Sequence, residues 1–248
     1  LGTVDRSIVQ GKMVSGATAA SAGYLAGDMG KWLESGTSVT EGYDIVGTYN
    51  SSDISSVQRR INSIGVKGTF YKLDLRDFNS IEKFYNEVST KYSHVDILVN
   101  NAALSIDNEI EYKTKDEFMN VLEVNLVAPF LLVKKFKNIM DQGIVINISS
   151  TDGIDTYQSL NIDYSASKAG LINLTKSLSL AISNIKFYVI CPNWVSTESV
   201  MEMNPEYLEK EMNRIGQYKL IDPKEVALKI LFLIDSDYKS GSVIVMEG

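Results

Sequence analysis

Near-continuous apolar runs recur along this chain, each too short for anything but a strand. "YDIVGTY" starts at Tyr43, "TFYKLDL" at Thr69, "VDILVNNA" at Val95, "GIVINIS" at Gly143, "KFYVICP" at Lys186 and "SVIVM" at Ser242. A strand that is apolar on both faces belongs in a sheet covered on both sides. Helical periodicity fills the intervals. "SIEKFYNEVSTKY" from Ser80 sets Ile81, Phe84, Tyr85 and Val88 on one face. "TKDEFMNVLEVNLVAPFLLVKKFKNIM" from Thr114 reads as a long helix, apolar on more than one face, and "YSASKAGLINLTKSLSLAI" from Tyr164 as another. "DPKEVALKILFLI" from Asp222 opens on an N-cap Asp, a proline at the first helical position and an early Glu. Strands alternating with helices predict βαβ units and an α/β fold with a doubly wound parallel sheet. No linker, repeat or low-complexity tract interrupts the 248 residues, which predicts a single domain over 1–248. The two broadly apolar helices need a second surface to bury, which predicts a homo-oligomer, dimer or tetramer.

Charge and cysteine usage narrow the function classes. Lys and Arg number 24 against 31 Asp and Glu, a formal charge of −7. Nucleic-acid binding needs clustered basic charge, so no nucleic-acid partner is expected. One cysteine, Cys191, makes no intrachain disulfide, and a cytoplasmic location is the expectation. Apolar runs such as "LVAPFLLV" from Leu126 are too short to span a bilayer, so no membrane partner is expected, and no signal peptide is evident. Cys191 ends an apolar strand and reads as core rather than nucleophile. His94, the one histidine, reads as a loop residue, so no metal site is expected.

Chemistry gathers around "YSASK". Tyr164 and Lys168 are four apart and share one helix face. A phenol and an amine ordinarily release protons only near pH 10. An ammonium beside a phenol favours the phenolate and prepares it for acid–base work nearer neutral pH. That spacing alone more often marks a solvated helix face. Here, however, "GIVINIS" runs into "SSTDG" fourteen residues earlier, setting Ser150 at the carboxyl end of a strand, where open α/β sheets bind ligands. "VDILVNNAA" ends in paired asparagines and small residues that admit a ligand to the backbone. Asn125 stands among apolar neighbours in "VLEVNLVAPF", where an unpaired buried amide costs ~1–3 kcal/mol.

Taken together these residues resemble the short-chain dehydrogenase/reductase family, over about Gly42 to Gly248, in a pattern most like its 3-oxoacyl-(acyl-carrier-protein) reductases. "NNAA" at 100–103 looks like the family's NNAG, and "VLEVNL" carries its helix asparagine. "NISS" carries its serine, "YSASKAG" its Tyr and Lys, "CPNWVST" its PGxVxT, and "SGSVIVMEG" its closing strand. The resemblance implies a Rossmann-type sheet and a catalytic set of Asn125, Ser150, Tyr164 and Lys168. Tyr164 would give a proton to a carbonyl, or take one from an alcohol. Lys168 would tune it and hold the nicotinamide ribose. Ser150 would hydrogen-bond the substrate oxygen, and Asn125 would hold a relay water. Family members often place the serine thirteen residues before the tyrosine, which is Thr151 here; the "NISS" alignment favours Ser150.

Hydride must come from a dinucleotide, because no side chain supplies it. An acid at the end of the second strand ordinarily takes the ribose 2′-OH of NAD. "GTYNSS" has none before Asp53. Asn50, Ser51 and Ser52, with Arg59 or Arg60 nearby, suit a 2′-phosphate, which favours NADP(H) over NAD(H). The resemblance adds Asp74 and Leu75 along the adenine, and Asn101, Ala102, Pro192, Val195 and Thr197 along the rest of the cofactor.

The first 41 residues depart from the pattern. The family opens with a strand and then T-G-x-x-x-G-x-G, whose glycines let the pyrophosphate approach a helix N-terminus. "SGATAASA" from Ser15 supplies Gly16, but Ala20 and Ala22 replace the later glycines, and the strand before it amounts to Met13 and Val14. Elsewhere Asn193 replaces the glycine of PGxVxT, and the ends of the two long helices carry no arginine for a carrier protein. "ESVMEMNPEYLEKEM" from Glu198 stands where relatives have a substrate lid; Met201 and Met203 suit an adaptable apolar pocket, and an amphipathic helix packed on the domain fits equally. The expectation is an NADP(H)-dependent reductase of a small ketone or 3-oxoacyl thioester. The alternative is a non-catalytic dinucleotide-binding or interaction protein that retains the fold.

Overall fold

The computed structural model describes residues 13–17, 44–50, 54–63 and 68–248. In chain order the elements are β1 (Met13–Ala17), β2 (Asp44–Tyr49), α1 (Ser55–Ser63), β3 (Gly68–Lys72), α2 (Phe78–Lys91) and β4 (Ile97–Asn100). Then come α3 (Lys115–Leu122), α4 (Ala128–Phe136), β5 (Ile144–Ile148), α5 (Ile162–Ala181) and β6 (Lys186–Pro192). The chain closes with α6 (Glu198–Met201), α7 (Pro205–Ile215), α8 (Pro223–Ile234) and β7 (Ser242–Met246).

All pairings are parallel, and the described strands form one sheet in the order β3-β2-β1-β4-β5-β6-β7. The order reverses between β1 and β4, the switch point at which such sheets open a crevice beyond their carboxyl ends. Strand pleating sorts the apolar runs onto two faces. Val46, Leu98, Val145 and Phe187 join Phe84, Val121, Leu132 and Phe136 from α2, α3 and α4 in one core. Ile97, Val99, Ile146, Ile148, Tyr188 and Ile190 face the other way, onto Ile230 and Leu233 of α8. Neighbouring residues of one strand thus serve opposite cores, which is why the runs lack polar alternation.

Two expectations change. β1 is a full strand of five residues in the middle of the sheet, paired with β2 and β4, although its sequence offers only Met13 and Val14 as an apolar signal. Gly16 accordingly lies within β1, in register with Gly47 and Val99, rather than in the turn that follows. Ala20, Ala22, Ser51, Ser52 and Asp53 lie outside the described residues. The helix expected from Thr114 is also not continuous: a π-helical turn at Glu123–Val127 separates α3 from α4. Pro129 accounts for it. An α-helix would direct the residue-129 N–H at the Asn125 carbonyl, and proline has none.

The remaining helices start where their caps say. Thr114 and Glu117 form a capping box on α3, as do Asp222 and Glu225 on α8. Asn204 caps α7 and Gly216, at φ 74°, ends it in the left-handed conformation that glycine adopts freely. Among the described residues, no helix is long and apolar enough to cross a membrane.

Candidate active site

The carboxyl ends of β4, β5 and β6 open into a cavity of about 240 Å³. Ser150, Tyr164 and Lys168 line it together, along with Asn101, Pro192, Val195 and Thr197. Ile148, Trp194, Val200 and Met203 make its walls largely apolar. Some described residues expected along the site are not on the lining. Asn125 is fully buried behind it, Ala102 belongs to the core, and Asp74, Leu75 and Asn50 stand across the sheet beyond β2 and β3.

Lys168 reaches the site from inside the protein. It is 1% exposed, its Nζ donates to the Ile148 carbonyl at 2.8 Å, and it lies 5.3 Å from the centre of the Tyr164 ring. Burial pulls its ammonium down to about 8, against the opposing influence of Cys191 and Asp152. Cys191 beneath it is itself pushed up to about 11 by burial, so it remains a thiol at neutral pH. Ser149 ties the strand to the helix by donating to the Lys168 carbonyl at 2.8 Å.

Ser150 and Thr151 are distinguished by their partners. Thr151 is buried; its hydroxyl donates to Asn193 Oδ1 and accepts from Thr156 at 3.0 Å. Asn193, the departure from the glycine of PGxVxT, is therefore a brace for this turn. Ser150 caps the short 3-10 turn Thr151–Gly153, accepting from the Asp152 N–H at 3.1 Å, and lines the cavity. Gly153 makes the turn possible: a Cβ there would stand 2.6 Å from the Lys168 carbonyl carbon and the Ala169 nitrogen. That close approach brings the serine beside the tyrosine–lysine helix.

Asn125 is positioned by the π-helical turn. Its Oδ1 accepts from the Leu104 N–H at 2.7 Å; its Nδ2 donates to the Leu104 carbonyl at 2.9 Å and to Ser167 Oγ at 3.0 Å. The amide is satisfied, and it binds the segment after β4 to α5. Below it, Thr175, Asn147 and Asn100 form a buried relay with Nδ2 contacts of 2.8 Å, and Asn100 Oδ1 finds no partner among the described residues. Asn100 pairs in register with Ala17, the last residue of β1. An unfilled acceptor, small residues at 102–103 and an apolar cleft beyond the strand ends fit an extended dinucleotide. Asn101, Lys168, Pro192, Val195 and Thr197 line the cavity at those strand ends.

Several participants gave no recognisable signal in the sequence. Asp152 lines the cavity, its carboxyl raised by burial against the Thr156 hydroxyl and the Arg214 charge. Lys113 and Asp163 form an ion pair across fifty residues of chain, and no local pattern announces it. Of the two methionines expected at an apolar pocket, Met203 reaches the cavity wall, whereas Met201 is exposed. At the other half of the sheet Asp74 grips Arg76 through both carboxylate oxygens, at 3.1 and 2.9 Å, which holds its pKa low. Arg59 is exposed and turns back onto the Ser55 carbonyl. His94 meets Asp96 at 3.3 Å in a loop.

A doubly wound parallel sheet with a tyrosine–lysine pair over its carboxyl edge defines a dinucleotide-dependent oxidoreductase. The short chain dehydrogenase family model matches residues 35–208. A 3-oxoacyl-[acyl-carrier-protein] reductase of Aquifex aeolicus is 31% identical over 211 residues, covering 82% of this chain and 85% of that protein. Carbonyl reductase family member 4 of Xenopus laevis is 30% identical over 203 residues, covering 80% and 84%. A dehydrogenase/reductase from Sinorhizobium meliloti superposes with TM-score 0.80 at 25% identity, over 94% and 93% of the two chains. The chain belongs to the short-chain dehydrogenase/reductase family, oxidoreductases that interconvert CH–OH and C=O with NAD(P).

Proposed function

We propose that this protein is an NADP(H)-dependent carbonyl reductase with Tyr164 as its proton donor. The observation that carries the reading is the convergence of Ser150, Tyr164 and Lys168 on one cavity at the strand ends. A bound nicotinamide supplies the hydride, which no side chain can provide. Ser150 donates a hydrogen bond to the substrate oxygen, and Tyr164 gives that oxygen its proton. Lys168, held by the Ile148 carbonyl, stabilises the phenolate left behind and offers its remaining protons to a ribose hydroxyl. The Asn125 amide is taken up by Leu104 and Ser167, so its relay role falls to its main-chain carbonyl, which Pro129 deprives of its α-helical donor.

The apolar wall suits a small ketone or the acyl end of a 3-oxoacyl thioester. Relatives named for such work include an acetoacetyl-CoA reductase of Acinetobacter, 29% identical over 220 residues. The strand end at Asn50 supports NADPH, because no acid stands there to repel a 2′-phosphate. Leu180, Phe130 and Val127 expose apolar surface on α5, on α4 and in the π-helical turn, which supports assembly with a second copy. Calorimetric titration with NADPH and with NADH, followed by a panel of ketones and 3-oxoacyl thioesters, tests the reading. Preferential NADPH binding with NADPH-dependent reduction supports it; equal affinities refute the cofactor assignment.

A further inference from the structure

The segment between β4 and α3, residues 101–114, has no helix or strand, yet it builds one wall of the cavity through Asn101, Ala103, Ser105 and Asp107. Three ties hold it to α5 and the residues just before it. Leu104 is bound to Ser167 through the Asn125 amide, and the Asn108 N–H donates to the Leu160 carbonyl at 3.1 Å. The third tie is ionic. Lys113 Nζ meets both oxygens of Asp163, at 3.2 and 3.0 Å, and donates as well to the Ile106 carbonyl. The two side chains are 3% and 0% exposed.

Taking two charges out of water is unfavourable, and an apolar pair of similar volume commonly gives equal or better stability. What an apolar pair cannot give is direction. Asp163 Oδ1 also accepts from the Tyr164 N–H at 2.9 Å, so the carboxylate is bonded to the residue that bears the phenol. Its charge lies in the opening turn of α5, where the helix dipole favours an anion. Lys113 then carries that anchor to Ile106, between the wall residues Ser105 and Asp107. Cavity wall and tyrosine are thus referred to one fixed point.

We propose that the Lys113–Asp163 ion pair is a positioning device that locks the 104–113 wall to the start of α5 and so sets Tyr164 against the substrate carbonyl. This rests on the reductase reading above. Misplacing a reacting group by about 1 Å costs on the order of 100-fold in rate. Lys113→Met alone would strand a buried carboxylate, so the informative variant removes both charges, Lys113→Met/Asp163→Leu. It is expected to fold with parental thermal stability and to bind NADPH with unchanged affinity. Its kcat for ketone reduction should fall roughly 10- to 100-fold, with a raised ketone KM. Amide hydrogen exchange should quicken together at 104–113 and at 162–168. Lys113→Arg, which keeps the charge, should recover most of the lost kcat. Parental kcat in the double variant, or quickened exchange at 104–113 with none at 162–168, overturns the proposal. If the parent reduces no carbonyl, the reductase reading fails by itself, and the exchange arm still decides whether the pair couples wall to helix.

Discussion

The two halves of this sheet follow different rules. From β4 to β7, strand ends, cap residues and side chains converge on one cavity. From β1 to β3 the picture differs: Asn50 stands where an acid is usual, Asp74 is engaged with Arg76, and Gly16 lies within a strand. Under the proposed function, the difference means that the chemical step and the grip on the nucleotide are separately built. Proton transfer needs a few atoms at fixed distances. Nucleotide affinity sums many weaker contacts, so one of them can change without altering the reaction.

The comparison breaks most sharply at Tyr164. Tyr164→Phe should lower turnover by roughly 10²- to 10⁴-fold, the usual worth of general acid catalysis, while leaving NADPH affinity in place. A variant that lost binding and rate together would mean the halves are not separable. Gly153→Ala tests the packing beneath the chemistry. Its methyl would press on the α5 backbone at 2.6 Å, and the turn carrying Ser150 must move. A loss of about 100-fold in kcat is expected, with NADPH affinity again retained. Parental turnover would show that Ser150 does not need this contact.

The opposite half is sharpened by Asn50→Asp. A carboxylate there repels a 2′-phosphate and accepts from a 2′-hydroxyl, so NADPH preference should erode about tenfold or more, read as the ratio of the two KM values. The kcat should stay unchanged. The smallest effect concerns stability and pH. Below pH 8 Lys168 is charged in both the folded and the unfolded chain. Between about 8 and 10.5 the folded chain has released a proton that the unfolded chain keeps. This group therefore adds stability as pH rises through that window, by ~2–3 kcal/mol at most. Denaturant unfolding at pH 7.5 and 10 should show the increment in the parent relative to Lys168→Met; identical pH dependence would contradict the buried ammonium.

Legibility in the sequence followed the same division. "KFYVICP" is β6 to the residue, because a doubly covered strand writes itself as an apolar run, and "SVIVM" is β7 to the residue, although this edge strand is only partly buried. Tyr164, Lys168 and Ser150, legible by spacing and strand-end position, line one cavity. β1 shows in the sequence only as Met13 and Val14, because its place between β2 and β4 rests on backbone pairing, which "MVSGA" permits without advertising. The π-helical turn was hidden in a pattern that stays apolar throughout, although Pro129 marks its cause. Lys113 and Asp163 were invisible because nothing local relates residues fifty apart. Gly153 stood in plain view, but its necessity depends on how closely α5 approaches.

The most direct measurement is deuterium transfer from 4,4-dideuterated NADPH to a ketone substrate under saturating nucleotide, followed by mass spectrometry of the alcohol. An intact chemical half beside an altered nucleotide half should give full deuterium incorporation at the carbonyl carbon, with turnover that depends on high NADPH concentration. Tight NADPH binding with no deuterium in any product of the carbonyl panel would contradict the account and leave a nucleotide-binding protein that has kept the fold without the reaction.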